Sequence, residues 1–172
     1  MKMNWQFIVF SMLMSALLVG CGAPLEEQIE TGFAQSEEVF NEEASKTNKK
    51  IDNISVYLPD GFEIENSEAD NNYLIRNKDD LYVLFVNFFE AQNSQLYYNH
   101  LMAEQKDQVV EINTFEMEES FGFTAVLDHG DDEYELIASV GGVKVSTMTT
   151  DKKVDEKLTN MMQIAKSVQF DQ

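Results

Sequence analysis

Apolar residues fall into three regimes along the 172-residue chain. Phe7 to Val19 is an almost continuous apolar run, interrupted by Ser11 and Ser15, and it is too short for a spanning helix. Residues 21–50 are polar, rich in Glu26, Glu27, Glu30, Glu37, Glu38, Glu42 and Glu43, then Lys46, Lys49 and Lys50. Their sparse apolar positions (Leu25, Ile29, Phe33, Val39, Phe40) keep imperfect helical spacing. This stretch reads as a flexible acidic tether. The alternative is a short amphipathic helix docked on the domain or on a partner, its acidic half and basic end suiting the helix macrodipole.

Folded structure is predicted over residues 51–172 as a single domain. Ile54, Val56 and Leu58 alternate with Ser55 and Tyr57, a half-buried strand, and Pro59-Asp60-Gly61 makes the turn that follows. Phe62 to Ile64 and Tyr73 to Arg76 are short strands. Leu81 to Phe89 is nearly all apolar and reads as a central strand covered on both faces. Asn93-Ser94 offers an N-cap for a helix from Gln95 to Asp107, with Tyr97, Leu101, Tyr98 and Met102 on its apolar face. A meander is expected next, with Val109–Met117 pairing Phe121–Leu127, and Gly141-Gly142 turning Tyr134–Val140 into Val143–Thr150. Asp151 would cap a last helix carrying Val154, Leu158, Met161, Met162 and Ala165 at helical spacing. The order predicts an α+β fold, a mostly antiparallel sheet with two helices packed on it.

Charge then removes several function classes. The chain has 12 basic and 31 acidic residues, a net charge of −19. Without residues 1–20, which contain Lys2 and no acid, 11 basic residues face 31 acids, giving −20. No nucleic acid and no anionic lipid surface is held by such a chain through bulk electrostatics.

Cys21 is the only cysteine, and it closes Leu18-Val19-Gly20-Cys21 directly after the apolar run. This segment, with Lys2 as its positive end, resembles the signal of bacterial lipoprotein precursors. The resemblance implies residues 1–20 as a removed signal peptide, cleavage between Gly20 and Cys21, and a diacylglycerol on the Cys21 sulfur. Several acyl chains give stable anchoring where one is marginal. Gly22, in place of the aspartate that often signals inner-membrane retention, favours a Gram-positive surface over a periplasm.

Within the domain, Ile54-Ser55-Val56-Tyr57-Leu58-Pro59-Asp60-Gly61-Phe62 resembles the opening strand and Pro-Gly turn of PsbP/DcrB-like domains, with Phe62 where tryptophan is common. The hairpins and the ending Ala165-Lys166-Ser167-Val168-Gln169-Phe170 are similar to the same group. The resemblance implies an α/β/α sandwich serving as a binding module, with no shared active site.

Candidate chemistry is sparse. Asp128, His129, Gly130, Asp131, Asp132 and Glu133 form the densest polar cluster. Oxygen ligands around a glycine suit Ca²⁺, but the alternating spacing of an EF-hand loop is missing, so a solvated turn is the favoured reading. His100 and His129 lack metal-ligand spacing, and no structural zinc set is present. Glu116, Glu118 and Glu119 follow from composition, and Ser120 has no nucleophile motif. Phe85, Phe88, Phe89, Tyr97 and Tyr98 read as core, or else as a ligand pocket between strand and helix. The expectation is a non-enzymatic, membrane-anchored interaction module, needing no cofactor and meeting an envelope protein partner. A small-ligand or cation-binding surface receptor is the alternative.

Overall fold

The computed structural model describes residues 23–65, 71–150 and 152–170. The signal segment, Gly20 and Cys21 lie outside these residues, as does Asp151.

Among the described residues, ten strands and three α-helices make the α+β architecture. Helix α1 spans Leu25–Asn41, followed by β1 (Lys49–Ile51), β2 (Ile54–Val56), β3 (Glu63–Glu65), β4 (Asn72–Asn77) and β5 (Asp80–Val86). Helix α2 is Leu96–Glu104, then come β6 (Val109–Met117), β7 (Ser120–Gly130), β8 (Glu133–Val140) and β9 (Val143–Thr149). Helix α3 is Val154–Ser167 and β10 is Gln169–Phe170. Seven strands form one antiparallel sheet in the order β3-β4-β5-β9-β8-β7-β6, and β1-β2-β10 form a small second sheet.

The strand period of two sorts side chains between the faces. Phe115, Val126, Leu136, Ala138, Tyr82, Leu84 and Val145 pack under α1 and α3 in the main core. Phe121, Phe123, Ala125, Leu127 and Ile137 point the other way and pack with Leu101, Tyr97 and Tyr98 of α2. Helices therefore lie on both faces, the α/β/α layering. The expected hairpins are found in register, with Ile112 opposite Ala125 and Val140 opposite Val143.

The expected tether over 21–50 is corrected by α1. Ile29, Phe33 and Phe40 are buried in the main core, and Gln28, Gly32 and Ser36 are buried beside them. A Cβ on Gly32 would stand 2.9 Å from the Asp155 Cα, so the missing side chain lets α1 and α3 approach closely. The two helices run parallel and cap one another. Gln28 of α1 accepts the Val154 N–H at the start of α3 (3.0 Å). Lys166 of α3 donates to the carbonyls of Phe40 (2.7 Å), Val39 (3.0 Å) and Glu42 at the end of α1. Orphan carbonyls and the negative end of the helix dipole both favour an ammonium there, although burial pulls the Lys166 pKa below its ordinary value. The N-cap position of α3 is Lys153, in the left-handed region at φ 58°, and the cap comes from Gln28 across the structure. Gln28→Ala and Lys166→Met should each lower unfolding stability by about 1 kcal/mol, read from urea denaturation.

The Leu81–Phe89 expectation is corrected too. Strand β5 ends at Val86 and alternates, with Tyr82, Leu84 and Val86 buried and Leu81 40 % exposed. One face is thus core and the other is half open. Burial, with the charges of Asp80 and Glu156, raises the Tyr82 pKa well above the ordinary phenol value. Burial and Glu90 push Tyr97 up to about 12, against a hydrogen bond from Asn87. In the window above the ordinary phenol pKa of 10, the folded chain holds protons that the unfolded chain releases. Stability from these groups is complete below that value and is lost as pH rises through it toward 12. In an alkaline titration, Tyr82 and Tyr97 should stay un-ionised by 295 nm absorbance until the far-ultraviolet signal collapses, and Tyr82→Phe or Tyr97→Phe should each remove one late-ionising phenol.

Candidate functional site

The parallel α1–α3 pair gives the molecule two distinct ends, separated along α3 by on the order of 20 Å for a helix of this length. At the end holding both helix N-termini, Lys78, Lys152, Lys153 and Lys157 line an open groove of about 450 Å³ with Asp79, Asp80 and Glu133. Lys157 is buried in its wall, its ammonium 2.6 Å from Asp80 and 2.8 Å from the Thr149 hydroxyl. A buried lysine needs that carboxylate partner to offset its lost hydration. Lys153 pairs with Glu156 at 2.9 Å on the surface.

The Asp128–Glu133 segment is the β7–β8 hairpin tip, which also lies at this end. Gly130, Asp131 and Asp132 all have positive φ (82°, 53° and 60°), and the Asp128 carboxylate accepts the Gly130 N–H at 2.7 Å. Turn geometry accounts for the Asp and Gly content. Among the described residues, no three His, Cys, Asp or Glu side chains gather to hold a metal ion. His129 lies 3.3 Å from Glu135, and His100 is exposed beside Glu104 at 3.4 Å. Glu116, Glu118 and Glu119 are exposed on the edge hairpin, and Ser120 starts β7.

The opposite end carries aromatics on the surface. After β5 the chain turns at Asn87, whose side chain accepts the Phe89 N–H at 3.1 Å. Phe89 is 97 % exposed, and Phe88 packs at a tilt against Phe170, itself 43 % exposed, with ring centroids 5.2 Å apart. Phe89 is thus corrected from core to surface, while Phe85 meets Tyr97 edge-on and Tyr98 meets Phe121 and Phe123. Those contacts place the aromatics 85, 97 and 98 in packing between sheet and α2. The segment 87–92 is fastened to the rest of the domain by backbone bonds. Asn87 N–H donates to Gly142 (2.8 Å) and Phe121 N–H donates to Gln92 (3.0 Å). Only glycines fit beneath it, since a Cβ on Gly141 or Gly142 would come within 2.5 Å of backbone atoms in the segment.

Sequence reasoning missed the exposed phenylalanine because a strand interior and a strand exit look alike in a continuous apolar run. Asn87, a turn former inside that run, was the available signal.

No family model and no curated protein matches the chain. Among solved structures, the chain is similar to the solution structure of cyanobacterial PsbP (CyanoP) from Synechocystis sp. PCC 6803. The match has 8 % sequence identity and a TM-score of 0.45, and it covers 74 % of this chain and 98 % of that one.

Proposed function

We propose that the protein is a lipid-anchored, outward-facing envelope lipoprotein whose domain is a non-enzymatic interaction module. The anchor rests on Leu18-Val19-Gly20-Cys21 at the end of the apolar leader. The observation that supports a binding role is Phe89, 97 % exposed on a segment that is held in place by the surrounding backbone. A large aromatic side chain presented by a fixed backbone has much apolar area to bury and is a favoured anchor in protein interfaces. Held at a membrane, such a module meets a membrane partner at a raised effective concentration.

The full-length chain with a photo-activatable phenylalanine analogue at position 89, or at exposed Glu111 as control, tests this in the bacterium that makes it. A discrete adduct with one envelope protein is expected from position 89 alone, and Cys21→Ala should abolish it and release the protein from membranes. Equal adducts from both positions, or firm membrane retention of Cys21→Ala, would refute the reading.

A further inference from the structure

We propose that the anchored domain rests on its own bilayer through the end that carries the N-termini of α1 and α3, with Lys78 and Lys152 against lipid phosphates. This rests on the lipoprotein reading above. Three residues, Gly22-Ala23-Pro24, separate Cys21 from the first residue of α1. Fully extended, they reach about 10 Å. Far less freedom remains than a 30-residue tether would allow.

Ala23, the first described residue, is also held against the fold. The Ala23 carbonyl accepts the Gln28 side-chain amide at 2.6 Å, and the same side chain accepts the Val154 N–H at 3.0 Å. One amide group therefore ties the residue two positions after Cys21 to the start of α3. Lys152 and Lys153 immediately precede that start, and Lys78 faces them across the groove. The groove holds four of the 12 basic residues in the chain. Lys157 and Lys153 are engaged by Asp80 and Glu156. Lys78 and Lys152 are exposed, and no carboxylate pairs with either among the described residues.

Asp79 and Glu133 share the groove, and the acidic β7–β8 tip is at the same end. The lysines consequently set a tilt and do not supply affinity, which comes from the acyl chains. An anionic surface attracts the lysine side and repels the hairpin tip within a Debye length. Phe89 is left at the end that faces away from the lipid.

The chain from Cys21 contains every described residue and, without Trp5, no tryptophan. It can be coupled through the Cys21 thiol to a maleimide lipid in phosphatidylcholine vesicles, with or without phosphatidylglycerol. Met148→Trp or Thr150→Trp reports on the groove and Phe89→Trp on the far end. Because these ends lie on the order of 20 Å apart, a headgroup nitroxide lipid should quench the groove reporters about threefold more. Equal or inverted quenching overturns the orientation. Lys78→Glu/Lys152→Glu should reduce groove quenching about twofold on anionic vesicles and leave it unchanged on neutral ones. No change on anionic vesicles removes the lysine contact. Chemical coupling supplies the anchor here, so failure of this orientation is separate from failure of Cys21 processing in cells.

Discussion

A chain lacking residues 23–44 is expected to lose cooperative unfolding altogether. Helix α1 puts Ile29, Phe33 and Phe40 into the main core, each at 5 % exposure or less. Deleting one such side chain costs about 2–5 kcal/mol, so losing three approaches or exceeds the 5–15 kcal/mol that holds a typical domain together. The deletion also uncovers Leu158 and Phe115, and it removes the Gln28 cap from α3. Phe40 is the sharpest single probe. Its ring packs at a tilt against Phe115, centroids 5.5 Å apart, and seals the space over Gly122, where a Cβ would stand 2.8 Å from it. Phe40→Ala should cost about 3–5 kcal/mol. The truncated chain should bind a hydrophobic dye and show no sharp melting transition by circular dichroism. A truncated chain that melts like the intact one would mean that this segment is the tether its composition suggests.

That helix shows why composition misleads here. The buried stripe of α1 is Gln28, Ile29, Gly32, Phe33, Ser36 and Phe40, which follows helical spacing. Half of its members are polar or lack a side chain, so a hydropathy pattern assigns them to solvent. Gln28 is buried because it caps a helix distant in sequence, and Gly32 because a neighbouring backbone needs the room. Neither reason is local, and seven surrounding glutamates mask what remains of the stripe. The antiparallel hairpins were legible because their determinants are local, namely alternation on the strands, Gly141-Gly142 at the β8–β9 tip and the Asp- and Gly-rich turn at the β7–β8 tip. The α+β class followed from them. For the candidate surfaces the balance reverses. Lys78 and the Lys152–Lys157 group are more than 70 positions apart, and the parallel α1–α3 pairing is what brings the leader's exit beside them. Phe89 needed the end of β5 to be known within three residues, the least certain feature of any strand read from pattern.

Gly141→Ala/Gly142→Ala should damage the aromatic end severely, because both glycines are buried beneath residues 87–92. Gly141 sits at φ +52°, and its Cβ would meet the Gln92 Cα at 2.5 Å, while that of Gly142 would meet the Asn87 carbonyl at 2.5 Å. All of these are backbone atoms, so no side chain can swing away to relieve the contact. A left-handed alanine costs about 1 kcal/mol, and forcing the segment outward adds about 1–3 kcal/mol of overpacking. The Asn87–Gly142 bond is then lost as well, at about 1 kcal/mol. At about 2–4 °C per kcal/mol for a chain of this size, a fall in melting temperature of roughly 10 °C is expected. Gly130→Ala supplies the contrast, since Gly130 also has positive φ (+82°) but nothing lies within 4 Å of its Cβ. It should lose only the left-handed term, about 1 kcal/mol, and keep the cross-link from position 89. The double variant, assayed below its transition where it remains folded, should lose that cross-link because Phe89 is displaced with its segment. If both proteins cross-link equally, the order of residues 87–92 is irrelevant to binding, and a merely exposed phenylalanine suffices.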